Sequence, residues 1–436
     1  MPKCTTTSLK FGRLGRRKIE ANFEGGDISS DGGLMLLREV DRKIKLSKAM
    51  AEAIHDPRDP LRIKHTMEDL ISQRLLALAS GYEDLNDHGQ LRKDILMQTA
   101  LGRDEDLASS PTLSRLETRA IRSDIINLNR VLVEQFITNQ KTTPEELILD
   151  IDTSDIPLHG DQEKKEFHGY YDSYCYLPLY VYCGRDLLCC VLRPSRVDGA
   201  KYSAAVIRLL VTRLRQVWPD TRFIVRGDSG FCRQRLIRWC ERNGVGYVIG
   251  LAKNDRLKEI VKNWETTLEY EYKSAGEKQR SIHEFYYGAK TWNIERRIVT
   301  RLEFSGLGNN PRFVVTNLDL PAADLYDGLY CKRGEAENRI KETQLDLFGT
   351  RTSCHEFLSN WLRVLFAGCA YTLMQRFKEM ALVGTEFERA ASATIRVRLL
   401  KIGVVVIRNT RRIRIFFSSC HPLRDLFACA AGALAC

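Results

Sequence analysis

The chain has 436 residues, 44% of them hydrophobic and 28% charged, so it is long enough for two or three folded domains and is not intrinsically disordered. Its net charge of +11 indicates a polyanionic partner, most simply a nucleic acid, with a basic protein lacking such a partner as the alternative. No apolar run opens the sequence, and the apolar stretch 427–436 is too short to span a bilayer, so we expect no signal peptide and no membrane contact.

The 13 cysteines are odd in number and scattered, mostly inside apolar runs. None forms a Cys-x-x-Cys pair with matching histidine spacing. This pattern predicts reduced core cysteines in a cytoplasmic protein and excludes a zinc site or a disulfide framework.

Residues 1–140 are predicted to form an all-helical, DNA-binding domain. Its first 22 residues are predicted to be a basic arm. Apolar spacing predicts helices after the turn at 27–33 and over 63–79. A further helix begins at Ser110-Pro111, where Arg115 and Arg119 could contact a DNA backbone. An ordinary capped helix explains the same residues equally well.

The pattern changes near residue 142 to alternating strands and helices. A strand over 147–152 places Asp150 and Asp152 on one face. Predicted strands at 174–183, 187–192 and 245–251 follow, with a short strand that ends in a turn over 223–230 and helices at 201–217 and 232–243. The last two strands flank a helix, which predicts a parallel pair with a right-handed crossover.

The polar segment 255–312 is predicted to be a β-rich insertion, with strands at Trp264–Tyr272 and Trp292–Phe304. An apolar strand at 313–317 then returns to the sheet. Region 351–436 is predicted to contain an apolar helix at 357–380 and a basic β-hairpin at 402–417. Arg408, Arg411 and Arg412 of this hairpin could bind phosphates, and a solvated turn is the alternative.

One helix, over 329–342, carries an unusual stripe. At 100° per residue, an apolar flank adjoins a second stripe on which a carboxylate lies between an arginine and a lysine. That second stripe consists of Tyr330, Arg333, Glu337, Lys341 and Gln344. A carboxylate suits a cation and the two bases suit phosphates, although surface ion pairs explain the pattern as well. Gly334 in this helix suggests a close backbone approach.

Three acidic residues therefore stand out: Asp152 at a strand end, Asp228 just after a strand, and Glu337 on the late helix. Carboxylates placed in this way can converge, and an oxygen-only ligand set favours Mg²⁺ or Mn²⁺ over zinc. Each aspartate taken alone is more commonly a turn or cap residue.

These motifs together resemble the DDE transposases of insertion sequences, in particular the insertion-sequence 1380 group of the insertion-sequence 4-like superfamily. The resemblance covers most of the chain. It is carried by the segments Leu149–Asp155, Val225–Phe231, Tyr247–Asn254 and Arg312–Leu318, by Tyr330-x-x-Arg333-x-x-x-Glu337, and by Phe23–Gly26, Ser110–Glu117 and Asn360–Arg363.

The resemblance implies an α/β, RNase H-like (retroviral integrase-type) catalytic core over 141–254 and 313–350. It implies that Asp152, Asp228 and Glu337 are catalytic and hold two Mg²⁺ ions per site, with Mn²⁺ as a substitute. Tyr330, Arg333 and Lys341 would match the family's Tyr-Arg-Glu-Lys signature and contact DNA. The usual lysine position is Gln344 here, so the role of Lys341 is open, and Asp150 and Asp155 compete with Asp152.

We therefore predict a transposase that binds terminal inverted repeats and catalyses metal-dependent phosphodiester hydrolysis and strand transfer. It would act on transposon and target DNA as a homodimer or higher oligomer, in the bacterial cytoplasm at the nucleoid. The alternatives are an RNase H-like nuclease without strand transfer and a catalytically idle DNA-binding protein derived from a transposase.

Overall fold

The computed structural model describes residues 8–435. They fall into two compact units. Unit 1 comprises the described residues of Met1–Ala51, Asp56–Leu116 and Arg376–Cys436, and unit 2 comprises Glu52–His55 and Glu117–Gln375. The predicted domain boundaries stay a prediction, and unit 1 differs from them in placing 376–436 with the N-terminal residues.

The first part of the chain is mainly helical. Its elements are β1 (Leu9–Leu14), β2 (Arg17–Ala21), β3 (Ile28–Ser29), α1 (Leu34–Ile44), α2 (Leu46–Ala53), α3 (Met67–Ser80), α4 (His88–Leu91), α5 (Ile95–Ala100), α6 (Ser110–Thr118) and α7 (Arg122–Asn139). Helix α3 begins later than predicted because Thr66 caps it, accepting a hydrogen bond from the Asp69 backbone N–H.

The middle of the chain alternates strands with helices. Its elements are β4 (Glu146–Thr153), β5 (Ile156–Pro157), β6 (Glu166–His168), β7 (Ser173–Tyr176), β8 (Leu179–Cys183), β9 (Asp186–Val191), α8 (Ser203–Val217), β10 (Arg222–Gly227), α9 (Gln234–Arg242) and β11 (Gly246–Leu251). The strand predicted over 174–183 is divided into β7 and β8 at Pro178, which has no backbone N–H to donate.

The last part completes the sheet and adds a C-terminal region. Its elements are α10 (Asp255–Ala275), β12 (Gln279–Tyr287), β13 (Arg296–Ser305), β14 (Gly308–Asn309), β15 (Arg312–Thr316), α11 (Gly334–Lys341), α12 (Phe357–Ala381), α13 (Ser392–Ile395), β16 (Val404–Arg408), β17 (Ile413–Phe417) and α14 (Arg424–Ala435). The predicted basic hairpin is confirmed as β16 and β17, which pair antiparallel.

A mixed sheet forms the centre of unit 2, in the order β12-β13-β15-β11-β10-β4-β8-β9, with β14 on β13. Strand β10 runs parallel to both β4 and β11, which confirms the predicted parallel pair. Strands β8 and β9 are antiparallel to their neighbours. The strand predicted at 313–317 is confirmed as β15, which returns to the sheet antiparallel to β11.

The two faces of this sheet carry different partners. On one face Leu149 and Ile151 of β4 pack with apolar residues of α8 and α9 in the larger core. On the other face Ile224 and Val248 pack with Leu329 and its neighbours in the segment before α11. Because side chains alternate along a strand, Asp150 and Asp152 lie on this second face.

Two predicted assignments are wrong. Residues 1–140 are not all-helical: β1 and β2 form an exposed antiparallel hairpin, whose turn contains Gly15 at φ +63°, and β3 pairs with β16. Residues 1–7 of the predicted arm lie outside the described residues. Trp264–Tyr272 is not a strand but part of α10, which Asn254 caps by accepting a hydrogen bond from the Leu257 N–H.

Within residues 8–435, no helix has the length and apolar character needed to cross a bilayer.

Candidate active site

Strand register brings Asp152 and Asp228 side by side. In the parallel pair of β4 and β10, Gly227 lies opposite Ile151. Asp152 is the next residue of β4, and Asp228 is the first residue after β10. Neighbouring strands are about 5 Å apart, so the backbones at Asp152 and Asp228 lie about that far apart where the two strands end.

Asp228 also shapes the turn that follows β10. Its Oδ1 accepts a hydrogen bond of 2.9 Å from the Gly230 N–H and caps the short helix Ser229–Phe231. Asp228 therefore does act as a helix cap, as the sequence alone allowed. The cap engages one carboxylate oxygen, and the residue remains partly exposed.

The helix that carries Glu337 is longer and less regular than predicted. It runs from Asp324 to Asp346 as a π-helical segment, a 3₁₀ turn, α11 and a second π-helical segment. The predicted apolar flank is confirmed, since all its members are buried: Leu329, Ala336, Ile340 and Leu347. Burial of that flank leaves the Glu337 side chain 46% exposed beside the sheet edge.

Buried and partly buried hydrogen bonds fix this helix at both ends. Before α11, the Arg226 guanidinium donates to the Leu329 carbonyl at 2.7 Å. After α11, the Tyr182 and Thr343 hydroxyls are 2.9 Å apart, and Gln344 donates to the Asp155 carbonyl at 3.1 Å. These contacts come from β10, β8 and the segment after β4, so the sheet determines where Glu337 lies.

Arg333 joins two of the three carboxylates. Its guanidinium donates to Asp152 Oδ2 at 3.1 Å and lies 2.7 Å from Glu337 Oε1. The pKa of Asp152 is raised to about 6, chiefly by burial and to a smaller extent by the carboxylates of Asp228 and Glu337, against the lowering effects of the Thr153 N–H and Arg333. Asp228 and Glu337 therefore both lie within electrostatic reach of Asp152.

The two competing aspartates have other surroundings. Asp150 is buried and pairs with Arg226, whose Nη2 lies 2.8 Å from Asp150 Oδ2. Asp155 lies beyond the end of β4, where its backbone carbonyl accepts from Gln344. Of the three aspartates, Asp152 alone shares Arg333 with Glu337, which favours it as the acidic residue of this strand.

The donor chemistry of this cluster fits a divalent cation. Carboxylate oxygens are the ligands that Mg²⁺ and Mn²⁺ prefer, and the Asp228 and Glu337 carboxylates place negative charge near the buried Asp152. Within residues 8–435, however, no group of three or more His, Cys, Asp or Glu side chains is arranged to hold a metal ion. Arg333 supplies the positive charge between Asp152 and Glu337.

A family comparison identifies the context of this site. The model of the family described as "Transposase DDE domain group 1" matches residues 11–435. The chain belongs to this transposase family.

No curated protein matches the transposase chain. Six chains of solved structures match, among them one titled "Cryo-EM structure of piggyBac transposase synaptic complex with hairpin DNA (SNHP)". It is 12% identical, with a TM-score of 0.43, and the match covers 85% of this chain and 79% of that chain.

The signature positions of the transposase differ in their surroundings. Tyr330 is partly buried, and burial together with the Asp228 carboxylate raises its pKa. Lys341 is exposed, whereas Gln344 is buried and bonded to Ser154 and Asp155. Position 344 therefore performs a structural role here, and a DNA contact by Lys341 stays a prediction.

The remaining predicted DNA contacts lie on other elements. Arg115 is exposed on α6, and Arg119 follows that helix. Arg411 and Arg412 are exposed at the hairpin turn. Arg408 instead pairs with Asp104 at 3.0 Å and donates to the Ile95 carbonyl at 3.0 Å, so its guanidinium is already engaged.

Sequence reasoning missed the residues that support the acidic cluster. Arg226 and Tyr182 hold the Glu337 helix, yet neither was selected as a candidate. A signal for Arg226 existed, since it precedes Asp228 by two residues just as Asp150 precedes Asp152. Opposite charges at the same offset on adjacent parallel strands predict a cross-strand ion pair.

Two glycines near the site give opposite predictions. A Cβ at Gly250 of β11 would lie 2.7 Å from the Tyr330 hydroxyl and 2.8 Å from the Ser229 nitrogen. We expect Gly250→Ala to destabilise the protein by about 1–3 kcal/mol and to reduce cleavage by displacing the Asp228 turn. The close approach expected at Gly334 is wrong, because nothing lies within 4 Å of an added Cβ there.

Gly334→Ala is the matched substitution. Its backbone is helical, so alanine should stabilise the protein by up to about 1 kcal/mol. Thermal unfolding of both variants measures the difference. Equal stability of the two variants would contradict this account of Gly250.

Proposed function

We propose that this DDE-family chain is the transposase of an insertion sequence of the insertion-sequence 1380 group, built on an RNase H-like core. The strand order β9-β8-β4-β10-β11 supports that core, because β8 alone runs antiparallel to β4, whereas β9, β10 and β11 all run in the direction of β4. The observation that carries the proposal is the register of β4 and β10, which pairs the residues just before Asp152 and Asp228, together with the Arg333 bridge from Asp152 to Glu337.

Asp152, Asp228 and Glu337 would hold two Mg²⁺ ions, with Mn²⁺ as a substitute. Bound ions of this kind supply Lewis-acid activation of the attacking oxygen and stabilisation of the leaving oxygen. Arg333 orients the Asp152 and Glu337 carboxylates toward one another. Tyr330 and Lys341 would contact the DNA strand near the cut and position its phosphates.

The reaction has two steps at phosphorus. Water attacks a phosphodiester at the terminal inverted repeat, the P–O3′ bond breaks, and the 3′ oxygen leaves as a free hydroxyl. That hydroxyl then attacks a target-DNA phosphodiester, forming a new P–O3′ bond and releasing a target 3′-OH. A homodimer or higher oligomer would hold the two transposon ends.

The test uses DNA from the ends of the element. The purified protein is incubated with candidate end duplexes and Mn²⁺, and the cut positions are mapped. We expect cuts at the repeat boundary and joining of pre-cut ends to a target plasmid. Cutting without joining would favour a nuclease, and binding without either reaction would favour a DNA-binding protein that has lost catalysis.

A further inference from the structure

A basic groove of about 410 Å³ lies between α8 and α9 in unit 2. Its arginines are Arg208 on α8 and Arg235, Arg238 and Arg242 on α9. Both helices pack on the Leu149 and Ile151 face of the sheet, whereas the Glu337 helix packs on the other face. The groove is therefore separate from the acidic cluster.

The sequence of α9 places these arginines together. Arg235, Arg238 and Arg242 follow helical spacing along one side, while Leu236, Ile237 and Cys240 are fully buried on the other. On α8, Ala204 and Ala205 line the groove and keep it open. The sheet-facing apolar residues thus force the guanidinium groups outward.

Three of the four groove arginines have no acidic partner among residues 8–435. Arg208, Arg235 and Arg242 are exposed and take part in no ion pair among residues 8–435. Helix α8 contains no acidic residue. The single acid of α9, Glu241, is held by the buried Arg296 through contacts of 2.6 and 2.9 Å. Arg238 is oriented by Asn293 at 3.2 Å.

We propose that Arg208, Arg235, Arg238 and Arg242 form a sequence-independent binding site for a DNA backbone, used by a DNA segment other than the one being cut. The span from Arg235 to Arg242 is about 10 Å along the helix axis, and phosphates of one DNA strand recur about every 3.4 Å along the duplex axis. The arginine row thus matches about three consecutive phosphates. The choice of DNA as the polyanion rests on the proposed function.

The test compares the salt dependence of binding in matched variants. A mixed-sequence duplex is titrated with the intact chain and with Arg208→Ala/Arg235→Ala/Arg242→Ala. Three lost phosphate contacts should make the slope of log K against log salt concentration shallower by about 2 to 3. The control is Arg213→Ala on the same helix, where Glu134 already engages the guanidinium at 2.7 Å.

The outcomes separate this inference from the proposed function. Replacement of the same three arginines by lysine should restore most of the slope, with circular dichroism confirming that each variant is folded. An unchanged slope in the triple alanine variant, or selective loss of polyglutamate binding instead, would overturn the inference. If the intact chain binds DNA but never cuts it, and the triple alanine variant still shows the shallower slope, the inference stands and only the proposed function is contradicted.

Discussion

Glu337→Gln is expected to abolish DNA cleavage while leaving DNA binding intact. The side chain is 46% exposed, and its pairing with Arg333 is a partly solvated contact, so its loss should cost stability only about 0–1 kcal/mol. An amide cannot supply the negative charge that the acidic cluster needs. We expect cleavage to fall by at least about 10²-fold, as when one preorganised group is removed from an active site.

The chain offers a closely matched control for this variant. Glu335 lies on the same helix and pairs with Arg339 at 2.7 Å with the same spacing of four residues, but it has no contact with Asp152. Glu335→Gln should therefore cut end DNA at the normal rate. Cutting is measured on labelled duplexes and binding by gel shift. Normal cutting by Glu337→Gln would remove Glu337 from the mechanism.

Arg226→Met is expected to cause the largest loss of stability. The Arg226 and Asp150 side chains are 6% and 1% exposed, so the variant leaves an acidic group buried with only a distant Arg339 contact of 3.9 Å. Breaking such a buried pair costs about 3–5 kcal/mol. It also removes the donor to the Leu329 carbonyl, which should loosen the Glu337 helix.

Two further variants test this explanation. Asp150→Leu/Arg226→Met removes both charges and should recover much of the lost stability, because no unpaired charge then remains buried. Arg233→Met breaks the half-exposed pair with Asp198 and should change the unfolding temperature little. A double variant as unstable as Arg226→Met would show that the buried charge is not the cause.

Local pattern was sufficient for the strands and helices of the core. Alternation predicted β4, and apolar spacing predicted α8 and the buried flank of the Glu337 helix. The pattern failed at Trp264–Tyr272, where β-branched and aromatic residues lie in a helix fixed by its cap and by buried Leu257, Val261 and Leu268. Tertiary burial there overrides strand propensity.

The sequence shows which acidic residues are candidates, but it does not show which of them lie together in the site. Which of Asp150, Asp152 and Asp155 belongs to the site depends on where Arg226, Arg333 and Gln344 reach. Those contacts join segments that are separated by 76 to 189 residues along the chain. No local periodicity carries that information, since it arises from strand register and helix docking.

The sequence by itself thus determined the order of elements, the apolar faces and the candidate carboxylates. These features depend on residues three or four positions away in the chain. Only the tertiary structure decided the pairing of β4 with β10 and the bridging of two carboxylates by Arg333. It also decided that the arginines between α8 and α9 lie together, most of them without an acidic partner in the described part of the chain. The physical reason is that charges acquire partners only when distant segments pack, and packing fixes which partners they are.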